Sequence, residues 1–130
     1  MPIMAIDYGA RRIGIAVSDS GTIATAHSVL RNEGDVVEKL AGLARELGAE
    51  TIVVGVARDA PKFHQLAEQL RQKTCKPVVL WDEALTTVEA AGQLRAVGRR
   101  RRDAQREIDM HAAAVILQSY LDHLATGRES

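Results

Sequence analysis

Residues 3–18, Ile3-Met4-Ala5-Ile6-Asp7-Tyr8-Gly9-Ala10-Arg11-Arg12-Ile13-Gly14-Ile15-Ala16-Val17-Ser18, decide how the rest of the chain is read. An apolar run ends in an acid at Asp7, a turn containing Gly9 follows, and a second apolar run occupies residues 13–18. Gly9 permits a tight backbone there and leaves room beside the carboxylate. After the Ser20-Gly21 turn, a third run over residues 23–30 completes an expected antiparallel meander. A carboxylate that interrupts an apolar segment is costly to desolvate unless it is paired, exposed or bound to metal, so Asp7 asks for an explanation. One is an ordinary hairpin aspartate. The other is a charge presented at the end of a sheet.

The remaining pattern alternates helix and strand. From Gly34 to Leu47 apolar residues recur at helical spacing, with Gly48 placed as a C-terminal cap. Residues 51–56, Thr-Ile-Val-Val-Gly-Val, are apolar on both faces, as an interior parallel strand requires. Pro61 to Lys73 supplies a crossover helix, and Pro77 to Leu80 a second buried strand. Thr86 or Thr87 caps an expected helix over Val88 to Val97. A last helix begins near Asp103 or Asp109, and residues 126–130 read as a frayed tail. The expected fold is α/β: a five-stranded mixed sheet flanked by helices, in the element order of a ribonuclease H-like topology.

Composition bounds the function. The 130 residues are expected to form a single domain, and 46% hydrophobic content suits a packed core. With 17 basic and 17 acidic side chains the formal net charge is zero, so a nucleic-acid role must rest on local charge. No apolar stretch approaches the roughly 20 residues that span a bilayer, and the N-terminus lacks a signal-type segment. The expectation is a soluble cytoplasmic protein with no membrane partner. Cys75 is the only cysteine, which excludes an internal disulfide, and is read as a partly buried thiol.

Two further acidic positions join Asp7. Trp81-Asp82-Glu83 places two acids at the carboxyl end of a buried strand, where ligands of open α/β sheets sit. Alternation sends them to opposite faces. Glu83 is favoured for its reach, with Asp82 as a helix-capping or arginine-pairing residue; an acidic pair stabilised by a helix dipole is the bland alternative. Asp109 precedes Ala112-Ala113-Ala114, a small-residue face that lets a helix approach the sheet closely. His111 lies on another face of that helix and is not favoured as a ligand.

Between them run Arg95 and Arg99-Arg100-Arg101-Arg102, then Arg106, with Asp103 the one acid. Adjacent guanidinium groups repel one another and bind phosphates bidentately, so a polyanion is the natural partner. With one Trp, one Phe and two Tyr, stacking on bases is little supported.

The opening Asp-x-Gly-x-x-Arg-Ile-Gly-x-Ala-x-Ser pattern, the Val53-Val54-Gly55 strand, Trp81-Asp82-Glu83-x-Leu85-Thr86-Thr87, the arginine run, and Ile108-Asp109-x-x-Ala112-Ala113 resemble the YqgF (RuvX) family. Roles in pre-16S rRNA processing and in Holliday junction resolution are ascribed to that family, on a ribonuclease H-like fold. The resemblance implies Asp7, Glu83 and Asp109 as catalytic acids and metal ligands, with Mg²⁺ or Mn²⁺ as the ion. Two departures are visible: Ala84 stands where the family has arginine, and Val56 to Pro61 replaces a Leu-Pro loop, with Arg58 as a compensating cation.

The expected function is therefore a metal-dependent endonuclease acting on precursor rRNA or branched DNA. Arg12 and Arg99 to Arg102 hold the backbone, and Asp82, Gly9, Thr86 and Arg58 are secondary candidates. Paired cleavage of a two-fold junction would favour a homodimer. A non-catalytic nucleic-acid-binding or ribosome-assembly module is the alternative. An actin-like ATPase lobe is a weaker one, because such proteins enclose their nucleotide between two lobes.

Overall fold

A computed structural model describes residues 2–57, 60–82 and 101–127, with residues 101–107 and 127 described by their backbone alone. In chain order the elements are β1 (Ile3–Tyr8), β2 (Arg12–Ser18), β3 (Thr25–Arg31), α1 (Val36–Leu47), β4 (Thr51–Val56), α2 (Pro61–Thr74), β5 (Val78–Asp82) and α3 (Arg101–Gly127). The strands form one five-stranded sheet in the order β3-β2-β1-β4-β5. The first three are antiparallel neighbours, while β1–β4 and β4–β5 are parallel. The meander and the two crossovers anticipated from hydrophobic pattern are both present. The expected helix over Val88 to Val97 and its threonine caps lie outside the described residues.

Period-two alternation divides the core between the two faces of the sheet. Met4 and Ile6 of β1, Ile13 and Ile15 of β2, and Ile52 and Val54 of β4 pack with Leu40 of α1 and with Phe63, Leu66 and Leu70 of α2. Ile3, Ala5, Ala16 and Val53 face the other way, against Ala113, Ile116, Leu117 and Leu121 of α3. The small residues Ala5, Ala16 and Ala113 are each fully buried, so helix and sheet come together closely on this second face. Trp81 of β5 extends that contact. Its ring meets Tyr120 edge-on at 5.4 Å, and its Nε1 donates to Ser119 Oγ at 3.2 Å.

Local chemistry sets the helix ends. Asp35 Oδ1 accepts the Glu38 N–H at 3.1 Å, an N-cap on α1. Gly48 closes the same helix at φ 66°, in the left-handed region that glycine enters without a Cβ penalty. The α2 helix starts at Pro61, whose ring fixes a helical φ, and stops at Cys75 with φ 58°. The partly buried thiol expected at Cys75 is instead exposed. It stands past the last turn of α2, as the helix's left-handed C-cap, rather than on the helix's buried face. The α3 helix is described from Arg101, so Asp103 and Asp109 both fall inside it; Thr126 is also helical and bonds to the Asp122 carbonyl. Among the described residues no helix is long and apolar enough to cross a membrane.

Candidate functional site

Asp7 sits at the carboxyl end of β1, the central strand, where the chain turns back as β2 on one side and β4 runs parallel on the other. It continues the Ile3 and Ala5 series, which places it on the α3 face. Its partners in register are Gly14 on β2 and Gly55 on β4. The acid is therefore flanked by two residues without side chains. Such a gap in a sheet admits another backbone or a ligand.

Gly14 is where that backbone arrives. A Cβ at this position would run into the carbonyl oxygen of Asp109 and lie 3.4 Å from the Cβ of Ala113. α3 thus crosses β2 with its backbone resting on the glycine, and this carries Asp109 beside the strand position opposite Asp7. The alanine face anticipated for this helix has that consequence. Arg12, two residues before Gly14 on the same face, donates from Nε to Asp109 Oδ2 at 2.7 Å. The Asp109 side chain is 21% exposed and that of Arg12 47% exposed.

The turn that positions Asp7 is braced by Gly9 and by Asn32, of which the sequence alone singles out only the glycine. Gly9 N–H donates to the Arg12 carbonyl at 3.1 Å, and a Cβ on Gly9 would collide with the same oxygen. Close backbone approach is thus what requires glycine here. Asn32, just after β3, pins the turn twice: its Nδ2 donates to the Gly9 carbonyl at 2.9 Å and its backbone N–H to the Arg11 carbonyl at 2.9 Å. On the other side of Asp7 a cleft of about 250 Å³ opens, bordered by Gly9, Gly55, Ala57, Lys62 and Phe63. Lys62 and Asn32 both stand far from Asp7 in sequence, and only the folded sheet assembles them.

Of the Asp82-Glu83 pair, Asp82 is the one described. Asp82 is in register with Val56, which packs toward the α1 and α2 side, so Asp82 belongs to the face opposite Asp7 and Asp109. Glu83, Thr86, Arg58, Arg99 and Arg100 lie outside the described residues, and Arg101 and Arg102 form the start of α3 as described. Among the described residues no group of three metal-ligating side chains comes together; Asp7 and Asp109 are the two of the proposed triad that can be placed. His111 lines a separate groove with Trp81, Gln118 and His123.

The fold is shared with solved structures of the Fowlpox virus resolvase bound to Holliday junction DNA and of T. thermophilus RuvC bound to a Holliday junction substrate. The first has a TM-score of 0.65 and 9% identity, covering 95% of this chain and 99% of that one. For the second the values are 0.57 and 12%, covering 98% and 96%. At these identities the likeness is one of fold. Closer in sequence are proteins named "Putative pre-16S rRNA nuclease". That of Mycobacterium tuberculosis (strain H37Rv) is 42% identical over 92% of this chain and 77% of its own length. That of Geobacillus kaustophilus is 37% identical over 94% and 98%. A family model described as "RuvX: Holliday junction resolvase" matches residues 1–123, and with relatives this similar over most of its length, the chain belongs to the RuvX family.

Proposed function

We propose that this chain is a divalent-metal-dependent endonuclease that hydrolyses phosphodiesters in structured nucleic acid. Precursor 16S rRNA is the preferred substrate in this reading. The observation that carries it is the convergence of Asp7 and Asp109, brought from β1 and α3 to one face of the sheet by the contact over Gly14. Relatives at about 40% identity bear the rRNA nuclease name, whereas the resolvase structures match at 9–12% identity and support the fold alone. The description of the family model keeps a four-way DNA junction as the second reading.

Asp7, Asp109 and Glu83 would hold Mg²⁺ or Mn²⁺. Carboxylate oxygens are the donors such hard ions take, and Gly55, beside Asp7 in register, borders with it the cleft in which an ion would have room. When bound, the ions supply an activated water and offset charge growing on the phosphate and the leaving oxygen. The protein's own groups set the frame. Asp7 is fixed by a strand, Asp109 by a helix lying on that strand's neighbour, and Arg12 with Arg99 to Arg102 attracts flanking phosphates. Glu83, favoured from the sequence, is the third acid in this reading, and Asp82, on the opposite face, stands apart from the site. Thr86 and Arg58 are secondary contacts, and paired incision of a two-fold junction would be performed by a homodimer in the cytoplasm.

The test is cleavage of a precursor 16S rRNA fragment, a four-way DNA junction and plain duplexes side by side with Mg²⁺ or Mn²⁺. Asp7→Asn should abolish cleavage and leave nucleic-acid binding largely intact. Full activity from purified Asp7→Asn protein would refute the assignment. Junction cleavage without rRNA cleavage would reverse the substrate order.

A further inference from the structure

The Arg12–Asp109 contact joins β2 to α3 at 2.7 Å, and three features set it apart from an ordinary surface ion pair. Asp109 is one of the two acids that converge at the candidate site. Arg12 is paired in register with Arg31 of β3, a pair of like charges that is repulsive and that Glu33, 3.8 Å from Arg31 and well exposed as Arg31 is, offsets only in part. Finally, Arg12 is 47% exposed and Asp109 only 21%, so the cation has solvent to move into while the carboxylate stays on a helix pressed against Gly14.

We propose that Arg12 is the resident counter-ion of Asp109 and that a divalent cation displaces it, freeing the guanidinium to engage the phosphate backbone together with Arg31. The proposal rests on the metal-site reading above. Without metal, a site built from clustered carboxylates is destabilised by their mutual repulsion, and the guanidinium at Oδ2 relieves it. A divalent ion on the same carboxylate does so more strongly, and two cations on one carboxylate repel each other. The same movement ties metal loading to substrate binding: the ion that arms the acid also releases an arginine toward the phosphates, and by linkage substrate then favours the metal-loaded state.

The contrary arrangement is an Arg12 that stays in place and orients Asp109, as hydrogen-bonded partners of metal ligands commonly do. The two differ in sign. Isothermal titration of the full chain with Mn²⁺ alone, without nucleic acid, should give binding about 3- to 10-fold tighter in Arg12→Gln than in wild type. Arg12→Lys, which keeps the charge, should remain near wild type and serves if the glutamine variant folds poorly. In ¹⁵N spectra, the arginine Nε–H resonance missing from Arg12→Gln should shift toward the position of a solvated guanidinium as Mg²⁺ is added to wild type. Weaker or unchanged Mn²⁺ binding in Arg12→Gln, or an Nε–H resonance unmoved by saturating Mg²⁺, overturns displacement. Asp7→Asn separates the two levels. If it binds Mn²⁺ as wild type does, the metal-site reading fails and the displacement with it; if it loses binding while Arg12→Gln gains none, displacement alone fails.

Discussion

Gly14 has no functional group, yet the geometry makes it as demanding a position as either acid. A methyl group there would strike the Asp109 carbonyl, so Gly14→Ala must lift α3 or bend β2. Overpacking of a close contact costs about 1–3 kcal/mol. Thermal melts should show that loss, and Mn²⁺ binding should fall because Asp109 moves away from Asp7. A Gly14→Ala protein with wild-type stability and metal affinity would mean that α3 does not rest on the strand. At this scale the sequence was partly legible. Asp7 stands out because an acid ends an apolar strand, and Asp109 because it precedes a run of alanines. The need for Gly14 was hidden, since its partner lies in a distant helix, as does the Asp109 that meets Arg12 from 97 positions away. For Asp82 the face follows from its register with Val56, which only the paired strands reveal.

Helices α1 and α2 share a face of the sheet, and one ion pair ties them across it. Lys73 Nζ donates to Glu38 Oε2 at 2.8 Å. The Lys73 hydrogen bond, then its charge, and then Arg45 hold the Glu38 carboxyl below its ordinary value of 4.5. The same Glu38 contact holds the Lys73 ammonium above its ordinary 10.5. A depressed carboxyl contributes stability above its unfolded value and loses it as pH falls through the folded one; a raised ammonium contributes below its unfolded value and loses it as pH rises through the folded one. The pair therefore helps between about 4.5 and 10.5. Lys73→Met should lower the melting temperature slightly at pH 7. The difference should vanish when melts are repeated well below pH 4.5, and shrink in high salt, because both groups are exposed. A difference that persists in acid would point to lost packing of the lysine stem. At this scale the Asp35 cap emerged only with the structure, but Gly48 and Pro61 were legible, standing where side-chain chemistry places helix ends. Cys75 was not, because nothing in a lone cysteine announces a left-handed turn.

Across the whole molecule the charges sum to zero, but they are not evenly spread. Arg12 and Arg31 face each other at the ends of β2 and β3, beside the turn that carries Arg11 and close to Asp109. A polyanion would meet this edge as a cationic rim. Arg31→Ala should weaken binding of duplex or junction DNA and flatten the dependence of log K on log salt by about 0.9, the amount expected when one fewer phosphate is neutralised. An unchanged slope would remove Arg31 from the interface. The five-stranded mixed sheet was legible because a meander followed by two strand-helix units has few ways to close. The rim was not, since residues in neighbouring strands are assembled only by register. Trp81, the chain's single tryptophan, lies against Tyr120 and bonds to Ser119 of the helix that carries Asp109. Its emission is thus a label-free gauge of how that helix seats on β5, and rapid mixing with Mn²⁺ or nucleic acid would time each step of the seating by its fluorescence.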